Sequence, residues 1–240
     1  MTTRNAIILA AGEGKRLRPL TETAPKCMVK VCGVSILENA LNNFADKGVE
    51  NVRVVIGHLA SVVREQIGFI YKGMKIKFIE NVDFARTNSM YSLYLGLIDL
   101  HEATWILEGD VFFEPAVLAK TVRHEISWFV DALRKDLDGA YISFNDEHRA
   151  TSLDIIRDLK LLTGQRGKSI GLLHLDARGT EHFNKWLEQG VSAGQKNLYY
   201  DLIVGPHFSE ADVEIVDVGG LKWFEIDNLV DLENANKLFS

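Results

Sequence analysis

The residues best suited to chemistry lie in a glycine-rich, basic loop near the start of the chain. Gly12 and Gly14 let the backbone adopt conformations closed to other residues and let a ligand approach its amides. Cationic side chains surround these amides, namely Lys15, Arg16, Arg18 and Lys26. Amides and cations gathered in one loop are typical of a binding site for a polyphosphate.

A buried strand must position this loop. Residues 6–10 form a short apolar run with two isoleucines, the pattern of a central parallel strand, and the loop follows directly. The alternative is that the glycines only make a turn and that the cations are solvated. A strand, two glycines, several cations and Pro25-Lys26 within about twenty residues together favour phosphate binding.

The segments that follow alternate between strand and helix patterns. The predicted order is a short strand at 28–31, a helix capped by Ser35, a strand at 52–56, a helix at 61–71 and a strand at 75–79. This order implies right-handed crossovers and a parallel sheet covered on both faces. We therefore expect an α/β fold, a Rossmann-like three-layer sandwich with a mostly parallel central sheet. Ligands bind such sheets at the carboxyl ends of the strands, where the basic loop lies.

Two aspartates follow predicted strands at the same edge. Asp110 comes after a strand at 104–108, and Asp227 comes after a strand at 222–226. Carboxylates beside a polyphosphate-binding loop suit Mg²⁺, which takes oxygen ligands. Without the loop, Asp110 would be better explained as a cap of the Gly-Asp turn. Glu225 points away from Ile226 and lies either towards an acceptor or in solvent.

Composition limits the class of protein. A chain of 240 residues with 47% hydrophobic and 25% charged residues can bury one core, so we expect a single domain over 1–240. The net charge of −6 argues against nucleic acid as a partner. Cys27 and Cys32 lack the spacing of a disulfide framework and the companions of a zinc site. With no apolar run near eighteen residues and no leader, we expect a cytoplasmic protein without a membrane partner.

The spacing of the glycines in the loop shows which known phosphate-binding motif it can match. A dinucleotide loop needs glycine where Leu17 stands, and a Walker loop needs Ser or Thr where Arg16 stands. The order AAG-x-G-x-R-L-x-P-x-T-x-x-x-P-K is complete in residues 10–26. It resembles the signature of nucleotidyltransferases that act on sugar 1-phosphates and small phosphorylated alcohols. The segments TNSMYSLYL and NLYYDLIV resemble those of the phosphocholine and phosphonate cytidylyltransferases.

This resemblance implies a reaction. CTP would give CMP to a small phosphate or phosphonate, such as phosphocholine, phosphoethanolamine or 2-aminoethylphosphonate, with Mg²⁺ as cofactor and pyrophosphate as product. Three alternatives stay open: an acidic or hydroxylated phosphonate as acceptor, a sugar 1-phosphate used with UTP or dTTP, and a domain that senses nucleotide without turnover. The sequence leaves open whether the protein is a monomer or a homodimer.

The resemblance also assigns roles to residues. The expected catalytic residues are Arg16, on the β- and γ-phosphates, and Lys26, between the α-phosphate and the acceptor. The expected nucleotide-binding residues are Ala10, Ala11, Gly12, Glu13, Gly14, Lys15, Arg16, Gly57, Asn88, Ser89 and Asp110. The expected acceptor-binding residues are Lys26, Lys168, Tyr199, Tyr200, Asp201 and Glu225. The expected metal ligands are Asp110 and Asp227.

The region of about 120–195 is predicted to form a lid over the acceptor. Its short alternating segments favour a small antiparallel insert, with a hairpin built from 152–156 and 159–162. A helix is predicted at 178–190, and a second one at 197–204 carries the tyrosine pair. These tyrosines would offer an aromatic face to an amine, worth roughly 0.5 to 2 kcal/mol. They could instead pack the helix against the sheet.

Overall fold

The computed structural model describes residues 3–240 as an α/β fold built on one large mixed sheet. The strands in this range are β1 (Asn5–Ala10), β2 (Lys30–Val31), β3 (Val34–Ser35), β4 (Asn51–Ile56), β5 (Ile70–Tyr71), β6 (Met74–Glu80), β7 (Thr104–Glu108), β8 (Val111–Phe113), β9 (Ile126–Asp131), β10 (Gly139–Phe144), β11 (Ala150–Ile156), β12 (Arg166–Leu175), β13 (Val213–Asp217) and β14 (Trp223–Glu225). The helices are α1 (Ile36–Lys47), α2 (Ala60–Ile67), α3 (Ser89–Leu97), α4 (Ala177–Ser192), α5 (Tyr200–Val204) and α6 (Leu229–Phe239).

Parallel strands in the order β6-β4-β1-β7 form the centre of the large sheet. Ala10, the last residue of β1, lies opposite Ile56, and Leu9 lies opposite Glu108. The carboxyl ends of β1, β4 and β7 are therefore side by side. This register places the basic loop after β1 next to the Gly109-Asp110 turn after β7.

The two faces of the sheet are covered by separate groups of helices. Adjacent residues of a strand point to opposite faces. Ile8 accordingly belongs to one apolar cluster, with α1 and α2 residues such as Leu41, whereas Ile7 belongs to another, with α3 and α4 residues such as Leu93. The predicted three-layer arrangement is confirmed. At the start of α1, Ser35 and Glu38 form a reciprocal capping box, a device worth about 1 kcal/mol.

The antiparallel strands of region 120–195 continue the central sheet. Strand β12 pairs antiparallel with β7, and β10 and β11 extend the sheet beyond it. The predicted hairpin of 152–156 with 159–162 is wrong, because β11 pairs with β10 and Leu159–Leu161 forms a 3-10 turn.

The second helix is also shorter than predicted. Helix α2 ends at Ile67 because Gly68 takes a positive φ of 72°. The chain then turns through Lys72 and Gly73, and β5 pairs antiparallel with β6. Among the helices of residues 3–240, none combines the length and the apolarity that crossing a membrane requires.

Candidate active site

Two Glu-x-Asp segments converge at the carboxyl edge of the sheet. One is Glu108-Gly109-Asp110 at the end of β7, and the other is Glu225-Ile226-Asp227 at the end of β14. Strand β14 pairs with β8, and the Ile226 amide donates to the Asp110 carbonyl at 2.9 Å. Carboxylate oxygens of Glu108, Asp110 and Glu225 lie within 4.8 Å of one another. The fold thus concentrates negative charge beside the basic loop.

Lys26 connects the two aspartates that the sequence singles out. Its Nζ donates to Asp110 Oδ2 at 2.7 Å and to Asp227 Oδ1 at 2.6 Å. Burial disfavours the ammonium, but the charges of Asp110 and Asp227 outweigh burial and raise the pKa of Lys26 above its usual range. Arg16 pairs with the other oxygen of Asp227 at 2.8 Å. Although burial acts against it, Lys26 and Arg16 lower the pKa of Asp227.

The basic loop lines a cavity of about 320 Å³. Its walls include Ala10, Gly12, Glu13, Gly14, Lys15, Arg16, Lys26, Asp110 and Asp227. Gly14 takes a φ of 65°, and a Cβ there would lie 2.9 Å from Lys26 Cβ. A Cβ on Gly12 would meet nothing within 4 Å. The Lys15 side chain pairs with Glu13 at 2.6 Å and, as the main cause, lowers the pKa of Glu13.

A second cavity, of about 200 Å³, lies at the start of α3. Asn88, Ser89 and Ala11 line it, together with residues that the sequence did not single out, Asn81, Phe84, Thr87 and Ser92. Asn88 caps the helix through its side-chain oxygen, which accepts from the Ser89 amide at 2.8 Å. Gly57 lines neither this cavity nor the loop cavity. A Cβ on Gly57 would lie 2.7 Å from Phe84 and 2.9 Å from the Ala11 carbonyl, so this glycine permits close packing behind the site.

A third cavity, of about 150 Å³, lies on the other side of Asp110. Lys168 on β12 and Glu225 on β14 both line it, and Lys168 Nζ donates to Glu225 Oε2 at 2.8 Å. Burial disfavours the charged lysine, but Glu225 raises the pKa of Lys168. Burial raises the pKa of Glu225 despite its ion pair with Lys168. The Glu225 side chain, for which the sequence left open a position in solvent or towards an acceptor, lines this cavity.

The tyrosine pair of the predicted 197–204 helix is divided between cavity and core. Tyr199 is 39% exposed and lines the second and third cavities. Tyr200 is fully buried, and its ring stacks on Trp128 with centroids 6.1 Å apart. The helix begins only at Tyr200, because the preceding segment binds the start of α3: the Met90 amide donates to the Leu198 carbonyl at 3.3 Å. The expected aromatic face therefore consists of Tyr199.

Buried acidic side chains make the wall of the third cavity acidic. Asp201 is 5% exposed, and burial raises its pKa to about 6. Burial, followed by the charges of Asp110 and Asp201, also raises the pKa of Glu108. Asp110 Oδ1 is buried and has no hydrogen-bond partner among residues 3–240. Buried carboxylates of this kind attract a cation.

Sequence reasoning missed Glu108, although a signal was available. Glu108 is the last residue of the strand that the sequence predicted, two positions before Asp110, so a search for further carboxylates at this strand end would have found it. Phe84 and Thr87 follow a strand end without a distinctive pattern. Arg157, which also lines the third cavity, directly follows β11, between the two segments that the sequence paired wrongly as a hairpin.

Comparison with known proteins identifies the family. The family model described as nucleotidyl transferase matches residues 5–129, which contain the basic loop and Asp110. The chain belongs to the nucleotidyl transferase family. Members of this family generally use a divalent metal.

Several relatives of this chain are named for the transfer of CMP to a phosphate or phosphonate. CMP-5'-(3-aminopropyl)phosphonate synthase of Streptomyces rubellomurinus is 33% identical over 98% of this chain, which spans only 38% of that relative. Choline-phosphate cytidylyltransferase of Streptococcus pneumoniae is 26% identical, with 97% of both chains covered. The 2-aminoethylphosphonate cytidylyltransferase of Lancefieldella rimae is 25% identical, with 95% of this chain and 90% of the relative covered.

Solved structures share the fold. CTP:phosphocholine cytidylyltransferase from Streptococcus pneumoniae superimposes with a TM-score of 0.79 at 24% identity, covering 99% of this chain and 100% of that one. The inositol-1-phosphate CTP transferase from T. maritima gives 0.78 at 20% identity, covering 99% and 97%. The expected α/β fold with its mostly parallel central sheet and a few antiparallel strands is thereby confirmed.

Proposed function

We propose that this protein transfers CMP from CTP to a small phosphate or phosphonate that carries an amine, and releases pyrophosphate. The observation that carries the proposal is that three cavities meet at Asp110: the basic loop, the start of α3 and an acidic cavity. These cavities would hold the triphosphate, the nucleoside and the acceptor, respectively. The choice of cytosine rests on the relatives, since nothing in the loop distinguishes cytosine from uracil or thymine.

The chemistry requires alignment more than proton transfer. An acceptor oxygen, already ionised at neutral pH, forms a bond to the α-phosphorus, and the bond from that phosphorus to the bridging oxygen of pyrophosphate breaks. Arg16 and the amides of 12–14 hold the β- and γ-phosphates. Lys26 lies where the α-phosphate and the acceptor oxygens crowd negative charge together. Such positioning and charge neutralisation account for most catalysis of phosphoryl transfer.

Asp110 and Asp227 fit the role of metal ligands. The Lys26 ammonium already lies between them, so the pair accepts positive charge, and Asp110 Oδ1 is a buried oxygen without a partner in the range 3–240. Mg²⁺ held there would neutralise charge on the α-phosphate and on the leaving pyrophosphate. For both cations to act, Lys26 must release the carboxylates and turn towards the phosphates. Glu108, Asp110 and Glu225 form an alternative set of oxygen ligands.

The cations of region 120–195 favour an amine-bearing acceptor over an acidic one. An acidic phosphonate would need unpaired positive groups near the third cavity. Lys168 is instead engaged by Glu225, Arg166 by Asp154 and Arg149 by Asp212. Gly139 and Lys168 line the cavity, which supports the assignment of part of this region to acceptor binding.

A pyrophosphate-release screen with CTP and Mg²⁺ tests the proposal. The acceptors are phosphocholine, 2-aminoethylphosphonate, a hydroxylated phosphonate and glucose 1-phosphate, with Asp110→Asn as the inactive control. We expect release with the amine-bearing compounds. Release confined to glucose 1-phosphate, or nucleotide binding without any turnover, would contradict the proposal.

A further inference from the structure

We infer that Asn39 and Asn43 on α1 are positioning residues of the proposed reaction, because they hold the strand that sets where Asp110 lies. This role rests on the proposed function, in which Asp110 and Asp227 are the metal ligands. Neither asparagine lines any of the three cavities that meet at Asp110, so both would act through the backbone of β8.

The proposed metal ligands lie at the same end of one small strand pair. Asp110 directly precedes β8, and Asp227 follows β14 by two positions. These two strands pair antiparallel and form a sheet of their own beside the large sheet. The position of β8 therefore determines the position of Asp110 against the basic loop.

One edge of β8 is occupied by β14. The Ile226 amide donates to the Asp110 carbonyl at 2.9 Å. At the other end of the pair, the Glu114 amide donates to the Lys222 carbonyl at 3.0 Å. Because successive residues of a strand direct their backbone groups to opposite edges, the N–H and C=O groups of Phe113 face away from β14. Phe113 is buried, so these groups need a partner at the second edge.

The side-chain amide of Asn39 takes the place of a neighbouring strand at this second edge. Its Oδ1 accepts from the Phe113 amide at 3.0 Å, and its Nδ2 donates to the Phe113 carbonyl at 3.1 Å. Asn43, four residues later on the same face of α1, donates its Nδ2 to the same carbonyl at 2.9 Å. Three hydrogen bonds, each worth about 1 kcal/mol, thus attach β8 to α1.

Helix α1 is well placed to serve as the support. It packs into the core through Leu37, Leu41 and Phe44, which are fully buried. Strand β14 has an anchor elsewhere, because Trp223 Nε1 donates to the buried carboxylate of Asp131 at 2.8 Å. The α1 asparagines therefore hold the β8 side of the strand pair, and β9 holds the β14 side.

A positioning role predicts a specific pattern of kinetic effects. A displacement of β8 moves Asp110, and a misplacement of about 1 Å in a catalytic site can cost about 100-fold in rate. The triphosphate is assigned to the loop after β1, to which neither asparagine is hydrogen-bonded. We therefore expect loss of the asparagine contacts to change metal affinity and kcat, and to leave KM for CTP nearly unchanged.

The test compares asparagines of one helix. Asn39→Leu removes both bonds to Phe113 and keeps the approximate size of the side chain. Asn39→Asp keeps an acceptor for the Phe113 amide and loses the donor to its carbonyl. Asn42→Leu is the matched control, because Asn42 accepts a hydrogen bond from the Tyr71 hydroxyl at 3.2 Å and forms none with β8.

Metal binding and turnover are measured separately. Mn²⁺, which takes the same oxygen ligands as Mg²⁺, is titrated into the CTP-saturated protein, and the free ion is followed by electron paramagnetic resonance. We expect Asn39→Leu to raise the Kd for Mn²⁺ by about 5- to 20-fold and to lower kcat by about 10- to 100-fold. KM for CTP should stay within about twofold. Asn39→Asp should fall between Asn39→Leu and the wild type, and Asn42→Leu should match the wild type.

Two results would overturn the inference. One is wild-type Mn²⁺ affinity and kcat in Asn39→Leu, even if its melting temperature falls, which would make the contact merely structural. The other is an equal change in Asn42→Leu. If Asn39→Leu fails to fold, the same measurements on Asn39→Asp decide. The Mn²⁺ titration needs no turnover, so failure of the proposed function is seen separately, as a wild-type protein that transfers no CMP.

Discussion

The ammonium of Lys26 lies 2.7 Å from Oδ2 of Asp110, although 84 positions separate the two residues in the chain. The contact joins the basic loop after β1 to the turn after β7. It also pairs the cation proposed to act in the transition state with a proposed metal ligand, so that Lys26 occupies the carboxylate that Mg²⁺ would use. In the structure each side chain neutralises the other, and the proposed reaction requires that substrate binding separates them.

Lys26→Ala tests the role of this cation. Because charge builds up at the α-phosphate mainly in the transition state, we expect kcat to fall by about 10²- to 10³-fold while the Kd for CTP changes little. Single-turnover kinetics and calorimetry measure the two quantities. Lys30→Ala, an exposed lysine in the next strand, serves as the control. Near-normal kcat for Lys26→Ala would show that its assigned role is wrong.

Asp110→Asn and Asp227→Asn test the metal ligands without relying on activity alone. Each change should remove a charged oxygen ligand and weaken Mg²⁺ binding, which is measured by titrating Mg²⁺ into the CTP-bound protein. We also expect each variant to lose magnesium-dependent turnover. Unchanged Mg²⁺ affinity in either variant would remove that aspartate from the metal site.

Substitutions at Gly12 and Gly109 test whether the loop after β1, rather than the turn after β7, binds the triphosphate. A Cβ on Gly12 meets nothing within 4 Å, so Gly12→Ala should keep the melting temperature of the wild type and yet raise KM for CTP. A Cβ on Gly109 would lie 2.5 Å from the Leu9 carbonyl. Gly109→Ala should therefore destabilise the fold by about 1 to 3 kcal/mol. Normal CTP kinetics in Gly12→Ala would place the triphosphate elsewhere.

Asp201→Asn should stabilise the free protein while it impairs acceptor binding. Since burial raises the pKa of Asp201 to about 6 from a usual 3.8, ionisation of Asp201 costs the folded state free energy. This cost is absent below the unfolded pKa, grows as pH rises and is complete above about 6. The variant should melt higher than the wild type at pH 7.5, and the difference should shrink as pH falls from 6 to 4. A lower melting temperature for the variant at pH 7.5 would contradict burial of the charge.

Ser89 connects the second cavity to the start of helix α5, and so connects the proposed nucleoside and acceptor sites. Its Oγ accepts from the Tyr200 amide at 3.2 Å and lines the second cavity. Ser89→Ala should raise KM for both CTP and the acceptor by a few-fold, because one hydrogen bond supports both sites. Ser61→Ala, at an exposed position of α2, is the control. An effect confined to one substrate would show that the two sites are independent.

Local patterns were sufficient to predict the parts of the site that follow a strand. The loop at 10–26, Asp110 and Asp227 were predictable because buried strands and the turns after them leave a strong signal in a few residues. Contacts between side chains from distant parts of the chain were not predictable. Lys168 and Glu225 are 57 positions apart, and only the pairing of β12 and β14 with the rest of the fold brings them together.

Tertiary packing overrode the pattern where predictions were wrong. The apolar alternation of 152–162 suits a hairpin, but β10 offers β11 a longer partner. Tyr199 and Tyr200 look alike in sequence, but they lie on either side of the start of α5. The segment before α5 is hydrogen-bonded to the start of α3, so the helix begins only at Tyr200, whose side chain lies in the core. The partner of β11 is the strand that directly precedes it, whereas the start of α5 depends on residues about a hundred positions earlier in the chain.

The most direct test of the account is a competition among nucleotides. The protein is incubated with Mg²⁺, 2-aminoethylphosphonate and equal concentrations of CTP, UTP, dTTP and ATP, and the products are identified by mass spectrometry. We expect the CMP conjugate of 2-aminoethylphosphonate to be the dominant product, together with one equivalent of pyrophosphate. A dominant UMP or dTMP conjugate, or no conjugate of the phosphonate while glucose 1-phosphate is converted, would contradict it.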